Sequence, residues 1–175
     1  MPNNSPTPWC KLKPSWTRSY LLEQQVADPS LKTIFQLKET TAVRPRWADV
    51  SSYDRTVKSL WSQWDQVEIH DLVLCRRWEE GGGNGVKYQI ILPRNLRETA
   101  LKAHHDHTTA SHRGGNKTLA SIRPRHYWSV LTSQAKKWVR ICHECGARKN
   151  GGRNAVHRCS NTWLVYQWNV WRWKY

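Results

Sequence analysis

The chain has 175 residues, with 28 Lys/Arg against 13 Asp/Glu and a formal net charge of +15 at pH 7. That length suits one ordinary domain or two small ones, and no run is long and apolar enough to span a membrane. The five cysteines, odd in number and scattered, do not read as a disulfide framework, and the polar, proline-rich start from Met1 to Pro8 is no secretory signal, so a reducing compartment is expected. The charge is uneven: residues 1–92 carry 12 Lys/Arg and 10 Asp/Glu, whereas residues 93–175 carry 16 and 3. An excess of that size in one half predicts an anionic partner, most simply nucleic acid, over a merely solubilising surface, which usually mixes both signs.

Residues 1–20, rich in Pro, Ser and Asn, read as an irregular arm. Residues 21–92 read as a connector. Short helices are predicted around Leu21-Leu22-Val26, around Leu31-Ile34-Phe35 after Asp28-Pro29-Ser30, and around Val57-Leu60-Trp61-Trp64, with a break at Arg44-Pro45-Arg46-Trp47. Over 66–92 the period shortens: Val67, Ile69, Leu72 and Leu74 lead to Trp78, five residues Gly81-Gly82-Gly83-Asn84-Gly85 intervene, and Val86, Tyr88, Ile90 and Leu92 follow. This predicts one β-hairpin with a glycine-rich loop. The loop lacks a Gly-Lys-Ser/Thr ending, so it reads as a plain turn and not as a phosphate cradle. His70 and Cys75 lack partners at ligand spacing and read as structural.

Pro93 ends the strand and opens a helical segment, 93–150. Leu96, Ala100 and Ala103 share a helix face that runs into His104-His105. Asn116 is the expected N-cap of a second helix through Thr118, Leu119 and Ile122, which Pro124 should end. A third helix after Ser129 places Leu131, Ala135, Trp138, Val139 and Cys142 on one face, with Lys136, Lys137 and Arg140 opposite. The expected fold is mostly α with one β-hairpin: a small zinc-stabilised three-helix bundle preceded by a helix and hairpin connector. Residues 151–175 contain no carboxylate but hold Trp163, Trp168, Trp171 and Trp173. They read as a truncated or out-of-frame continuation, the competing reading being a stacking surface for single-stranded nucleic acid.

Within this segment His105, His112, Cys142 and Cys145 follow the spacing H-x6-H-x29-C-x2-C. Two imidazoles and two thiolates complete one tetrahedral zinc shell. The His-before-Cys order and the long gap differ from a nucleic-acid finger, where cysteines lead and about a dozen residues separate the pairs. A thiol redox pair prefers a helix N-terminus, whereas Cys142 and Cys145 follow a helix end. His104, His107, His126 and His143 lie close enough in sequence to compete as ligands. A core of roughly 60 residues has net stability near zero, so one zinc, adding ~10 kcal/mol or more, should decide whether this half folds.

These residues carry a family resemblance. The stretch Ile91–Asn150, with Leu92-Pro93-Arg94-Asn95-Leu96-Arg97, His105-Asp106, Thr109-Ala110-Ser111-His112, Asn116-Lys117-Thr118-Leu119, Ile122-Arg123, Tyr127-Trp128, Cys142-His143-Glu144-Cys145 and Arg148-Lys149, resembles the zinc-binding N-terminal domain of integrases from gypsy-type LTR retrotransposons. Residues 47–92 are similar, more weakly, to the connector between RNase H and integrase in the same Pol polyproteins. The resemblance implies a parent with protease, reverse transcriptase, RNase H and integrase activities. It gives the ligand roles for one structural Zn2+ to His105, His112, Cys142 and Cys145. It also implies a module that multimerises and holds element DNA ends, with RNA as a further candidate partner, in a cytoplasmic particle or the nucleus. Candidate nucleic-acid contacts are Arg113, Lys117, Arg123, Arg125, Lys136, Lys137, Arg140, Arg148 and Lys149. Arg113 and Gly115 depart from the family, which usually places apolar residues there.

The chain itself is not expected to be an enzyme. Strand transfer and RNase H hydrolysis both need carboxylates around two Mg2+ ions, and after Leu92 only Glu98, Asp106 and Glu144 exist. The alternative reading is a host-derived, self-associating interaction module that does not bind DNA.

Overall fold

A computed structural model describes residues 16–79, 86–106 and 112–145. The arm before residue 16, the glycine-rich loop, the loop 107–111 with His107, and everything from 146, including Arg148, Lys149 and the Trp-rich tail, lie outside the described residues. The element order is α1 (Arg18–Ala27), α2 (Pro29–Thr40), α3 (Trp47–Val50), α4 (Arg55–Trp61), a 3-10 turn (Trp64–Gln66), β1 (Val67–His70), β2 (Val73–Glu79), β3 (Val86–Ile91), α5 (Arg94–His105), α6 (Gly115–Ile122), β4 (His126–Tyr127) and α7 (Leu131–Ile141). The molecule is mostly helical with a small sheet. Among the described residues no helix is long and apolar enough to cross a membrane.

Capping explains the helix starts in the first half. The Thr17 hydroxyl accepts from the Tyr20 N–H and begins α1 within what the sequence suggested was an irregular arm. Asp28 accepts from the Ser30 N–H at 3.0 Å, and Pro29 takes the first turn of α2, where its missing N–H costs nothing. Asp54 accepts from the Val57 N–H at 2.9 Å to start α4. α6 begins earlier than Asn116: Gly114 is its cap and Gly115 its first residue. Its end at Ile122 precedes Pro124, as the ring demands.

The single expected hairpin is instead part of a four-stranded sheet, order β1-β2-β3-β4, with β1–β2 and β2–β3 antiparallel and β3–β4 parallel. The extra turn lies at Asp71 and Leu72, both left-handed at φ 49° and 68°, the backbone a two-residue hairpin turn requires. Leucine is a poor occupant of that region, at a cost of about 1–2 kcal/mol. Its apolar side chain made it read as a strand residue, but it is exposed.

Alternation along the strands builds two cores. Val73, Cys75, Ile90 and Leu92 face Leu21 and the helices α5, α6 and α7, through Leu96, Ala100, Leu101, Leu119, Ile122, Leu131 and Ala135. Val67, Leu74 and Ile91 face α2 and α4, through Leu31, Ile34, Phe35, Val57 and Leu60. The three helices after Pro93 thus pack on a sheet face as well as on one another, where a free-standing bundle was expected. The apolar core of this half continues into residues 21–92, so its packing does not rest on residues 93–150 alone. Burial, followed by Asp71 and Glu68, raises the Cys75 thiol to about 12, in keeping with a structural role. His70 stacks on Tyr88 at 4.4 Å.

Polar groups fix the seam at Leu92-Pro93. The Gln25 side chain is fully buried; its Nε2 donates to Leu74 O (3.0 Å) and Ile91 O (2.7 Å), and its Oε1 accepts from Leu74 N (2.8 Å). Asp28 caps a second helix, accepting from the Arg94 N–H at 2.9 Å. The Arg94 guanidinium then bonds Asp54 and Ser30. Replacing Gln25 by Ala strands a buried N–H and leaves two carbonyls short of a partner. The expected loss is about 3 kcal/mol, read as a lower urea midpoint with unchanged m-value; a midpoint within error of the parent would contradict the assigned role.

Candidate metal centre

Three element ends converge beside the sheet-packed helices. α5 presents His105 as its last residue. The backbone turns extended at Cys142 (φ −66°, ψ 120°), which stops α7 and lets the chain return with Cys145. His112 enters from the loop before α6 with φ 47°, a left-handed conformation uncommon for a side-chain-bearing residue and often found where geometry serves a site. His105 and Cys145 are buried, His112 and Cys142 half-buried.

One donor atom from each of the four side chains lies within 4.8 Å of every other. Cys142 Sγ is 3.3 Å from His112 Nδ1, and Cys145 Sγ is 3.5 Å from His105 Nε2. A tetrahedron built on Zn–S of about 2.3 Å and Zn–N of about 2.0 Å has mixed edges of roughly 3.5 Å. The donor set therefore fits one ion of that size and chemistry.

Neighbouring hydroxyls prepare the histidines. The Thr118 hydroxyl donates to the Arg113 carbonyl at 3.0 Å, so toward His105 Nδ1, 3.3 Å away, it can only accept. That places the ring proton on Nδ1 and leaves the Nε2 lone pair facing Cys145. Asp106 Oδ1 accepts from the Trp138 indole at 3.1 Å and lies 3.9 Å from His105 Nε2, at the edge of the four-donor cluster. The sequence places Thr118 on the second helix and in the resemblance motif but shows no role for it toward His105; it is a fully buried polar residue beside Leu119 and Ile122.

Of the competing histidines, His104 and His126 make other contacts, and His107 lies outside the described residues. His104 turns to Ser121 Oγ, 3.2 Å away, and packs edge-on against His126 at 5.9 Å. His126 in turn meets Trp16 at 5.7 Å. Burial, then His104 and Arg125, push the His126 pKa down to about 3; burial and Arg125 also lower that of His104. His126 is a buried and His104 a half-buried imidazole, both neutral near pH 7, and His143 is exposed.

Of the basic candidates, Arg113, Lys117, Arg123, Lys136, Lys137 and Arg140 are exposed and Arg125 is half-buried. None forms an ion pair among the described residues. Gly115 lies beside Lys136, where an added Cβ would meet the lysine side chain at an ordinary 3.7 Å, so its departure from an apolar residue leaves no steric defect.

Residues 92–151 match the family model of the integrase zinc binding domain. Gypsy retrotransposon integrase-like protein 1 of Bos taurus is 32% identical over 73 residues, 39% of this chain and 15% of that protein. The proteins of the same name in Homo sapiens and Mus musculus are 28% and 26% identical over 61 residues, 35% of this chain and 12% of theirs. The matches thus cover only 12–15% of the length of these curated relatives. The likenesses support a gypsy-type integrase relationship for this segment, and the matched family is a zinc-binding domain, not a catalytic core.

Thr118→Val keeps the shape of the residue and removes the acceptor that orients His105. Its zinc affinity, measured by competition with a chromogenic chelator, should fall about 10- to 100-fold, while Thr118→Ser should bind within a few-fold of the parent. Equal affinities in all three proteins would show that the hydroxyl does not position the ring.

Proposed function

We propose that this chain is a zinc-stabilised, nucleic-acid-associated module of a gypsy-type retrotransposon integrase or Pol polyprotein. His105, His112, Cys142 and Cys145 hold one structural Zn2+, which when bound ties α5, the His112 loop and the end of α7 together. The observation that carries this reading is the convergence of four donor atoms within 4.8 Å in a segment matching an integrase zinc-binding family. The module takes part in DNA integration by binding element DNA ends and by self-association, inside a cytoplasmic particle or the nucleus, and RNA is a further anionic partner. The reaction itself belongs to a catalytic core elsewhere in the parent.

The charge arithmetic supports DNA as the partner. Two thiolates and Zn2+ make a neutral cluster, so the site consumes none of the cations around it. Lys136, Lys137 and Arg140 lie on the exposed side of α7, free to meet phosphates. A second reading, a self-associating module without DNA contact, has one observation in its favour: Ile141 is 66% exposed beside the half-buried Trp138.

Fluorescence anisotropy of the zinc-loaded chain with a DNA duplex at several salt concentrations tests the choice. The affinity should fall steeply with salt, and Lys136→Gln, Lys137→Gln and Arg140→Gln should each weaken binding and lower the slope by about one. Dimerisation that is insensitive to salt, with no duplex binding, would select the second reading.

A further inference from the structure

A cleft of about 260 Å3 lies where β2 and β3 meet the turns around β4, away from the four metal-site residues. Two guanidiniums, Arg76 and Arg123, line it, and among the described residues no carboxylate does. Arg76 lies over the Tyr127 ring at 4.5 Å and donates to the side-chain oxygens of Gln66 (3.1 Å) and Gln89 (3.2 Å). Arg123 donates to the Thr132 hydroxyl at 3.2 Å. Gln89, 3% exposed, joins the two, since its amide also donates to the Arg123 carbonyl at 2.5 Å. Neither arginine has an ion-pair partner among the described residues.

This is an unusual way to treat two like charges. A guanidinium that only needs to be solvated extends into water, and one that serves stability pairs with a carboxylate. Here both are held at one cleft by neutral acceptors, which orient a guanidinium without cancelling its charge. An anion entering between them would gain charge-assisted bonds with little further ordering. Register supplies the remaining wall: Arg76 and Trp78 lie two apart on β2 and share a sheet face, Arg76 stands opposite Gln89, and Trp78 also lines the cleft. Arginines beside aromatic surface form the pairing that takes a phosphate and a base together. The volume is below the range that encloses a drug-sized ligand and matches one small planar group with its charge.

We propose that this cleft seats one unpaired nucleotide of a single-stranded nucleic acid, its phosphate between Arg76 and Arg123 and its base against Trp78. The site goes beyond duplex binding through α7, and it draws on residues from both sides of Leu92. An unpaired base is required because stacked bases in a duplex do not expose their faces.

The test uses the full, zinc-loaded chain and a fluorescein-labelled oligothymidylate of about 10 nucleotides, compared with a duplex of equal length. The single strand should bind more tightly. Arg76→Gln and Arg123→Gln should each weaken it about tenfold and lower its salt slope by about one. Trp78→Leu should weaken it about tenfold and leave the slope unchanged. Lys136→Gln should reduce duplex binding more than strand binding. Displacement by thymidine monophosphate at far lower concentration than by inorganic phosphate would support the base contact; equal displacement by the two, or by polyglutamate, would overturn it. Variants that bind the strand as the parent does, with unchanged circular dichroism, would also overturn it. Should Arg76→Gln unfold, the exposed Arg123 decides alone. Loss of duplex binding with strand binding intact would sink the α7 reading above and leave the cleft standing.

Discussion

Four donor atoms can share one ion only if the ends of two helices and a loop residue stay within a few ångströms of each other, and everything else in this molecule serves that constraint. α5 and α7 are fixed because their apolar faces lie on the same side of one sheet. The sheet is fixed in turn by β1 and β2, by the buried Gln25 that bridges α1 to β2 and β3, and by Asp28, which caps both α2 and α5. A metal ion placed at the far end of such a scaffold closes a nearly assembled site. An ion bound there would supply a cross-link among the ends of α5 and α7 and the left-handed His112, while hydrophobic burial supplies the fold.

The electrostatics follow from the same arrangement. Two thiolates would neutralise a bound Zn2+ without drawing on nearby cations, and several described acids are committed to other partners: Asp54 to Arg94 and Ser30, Glu98 to Lys102, Glu68 to Arg77. Burial alone would raise the Asp54 carboxyl, but the Ser30 and Val57 hydrogen bonds and the Arg94 charge outweigh it and hold the group below its ordinary value. The excess of positive charge in residues 93–175 follows from composition, 16 Lys/Arg against 3 Asp/Glu, of which Glu98 is already paired with Lys102. A surface with that excess would meet a polyanion through many weak, salt-sensitive contacts, with discrimination left to a few ordered positions.

The sequence made some of this legible and hid the rest for identifiable reasons. The His and Cys spacing could be read because ligand chemistry allows few residue types and one coordination number. The helices around Leu31-Ile34-Phe35 and Leu131-Ala135-Val139 could be read because burial imposes their period. The turn at Asp71-Leu72 could not, since a leucine in left-handed backbone violates the local rule that would have revealed it. Nor could β4, two residues long and paired in parallel with a strand 36 positions earlier, because short non-local pairing leaves no periodic trace. Missing β4 hid the shared core, and with it the reason why the helices after Pro93 do not stand alone. The role of Thr118 was hidden for a related reason: it depends on a carbonyl five residues back and an imidazole thirteen residues back.

Amide hydrogen exchange by mass spectrometry on the full chain, with zinc and after chelation, probes the division of labour most directly. With one zinc bound per chain, its removal should deprotect residues 112–118 and 139–145 while α1, β2 and β3 keep their protection, because the sheet core does not need the ion. Unchanged exchange at 112–118 and 139–145, or loss of protection throughout the sheet, would contradict a metal that closes a site on a core already formed.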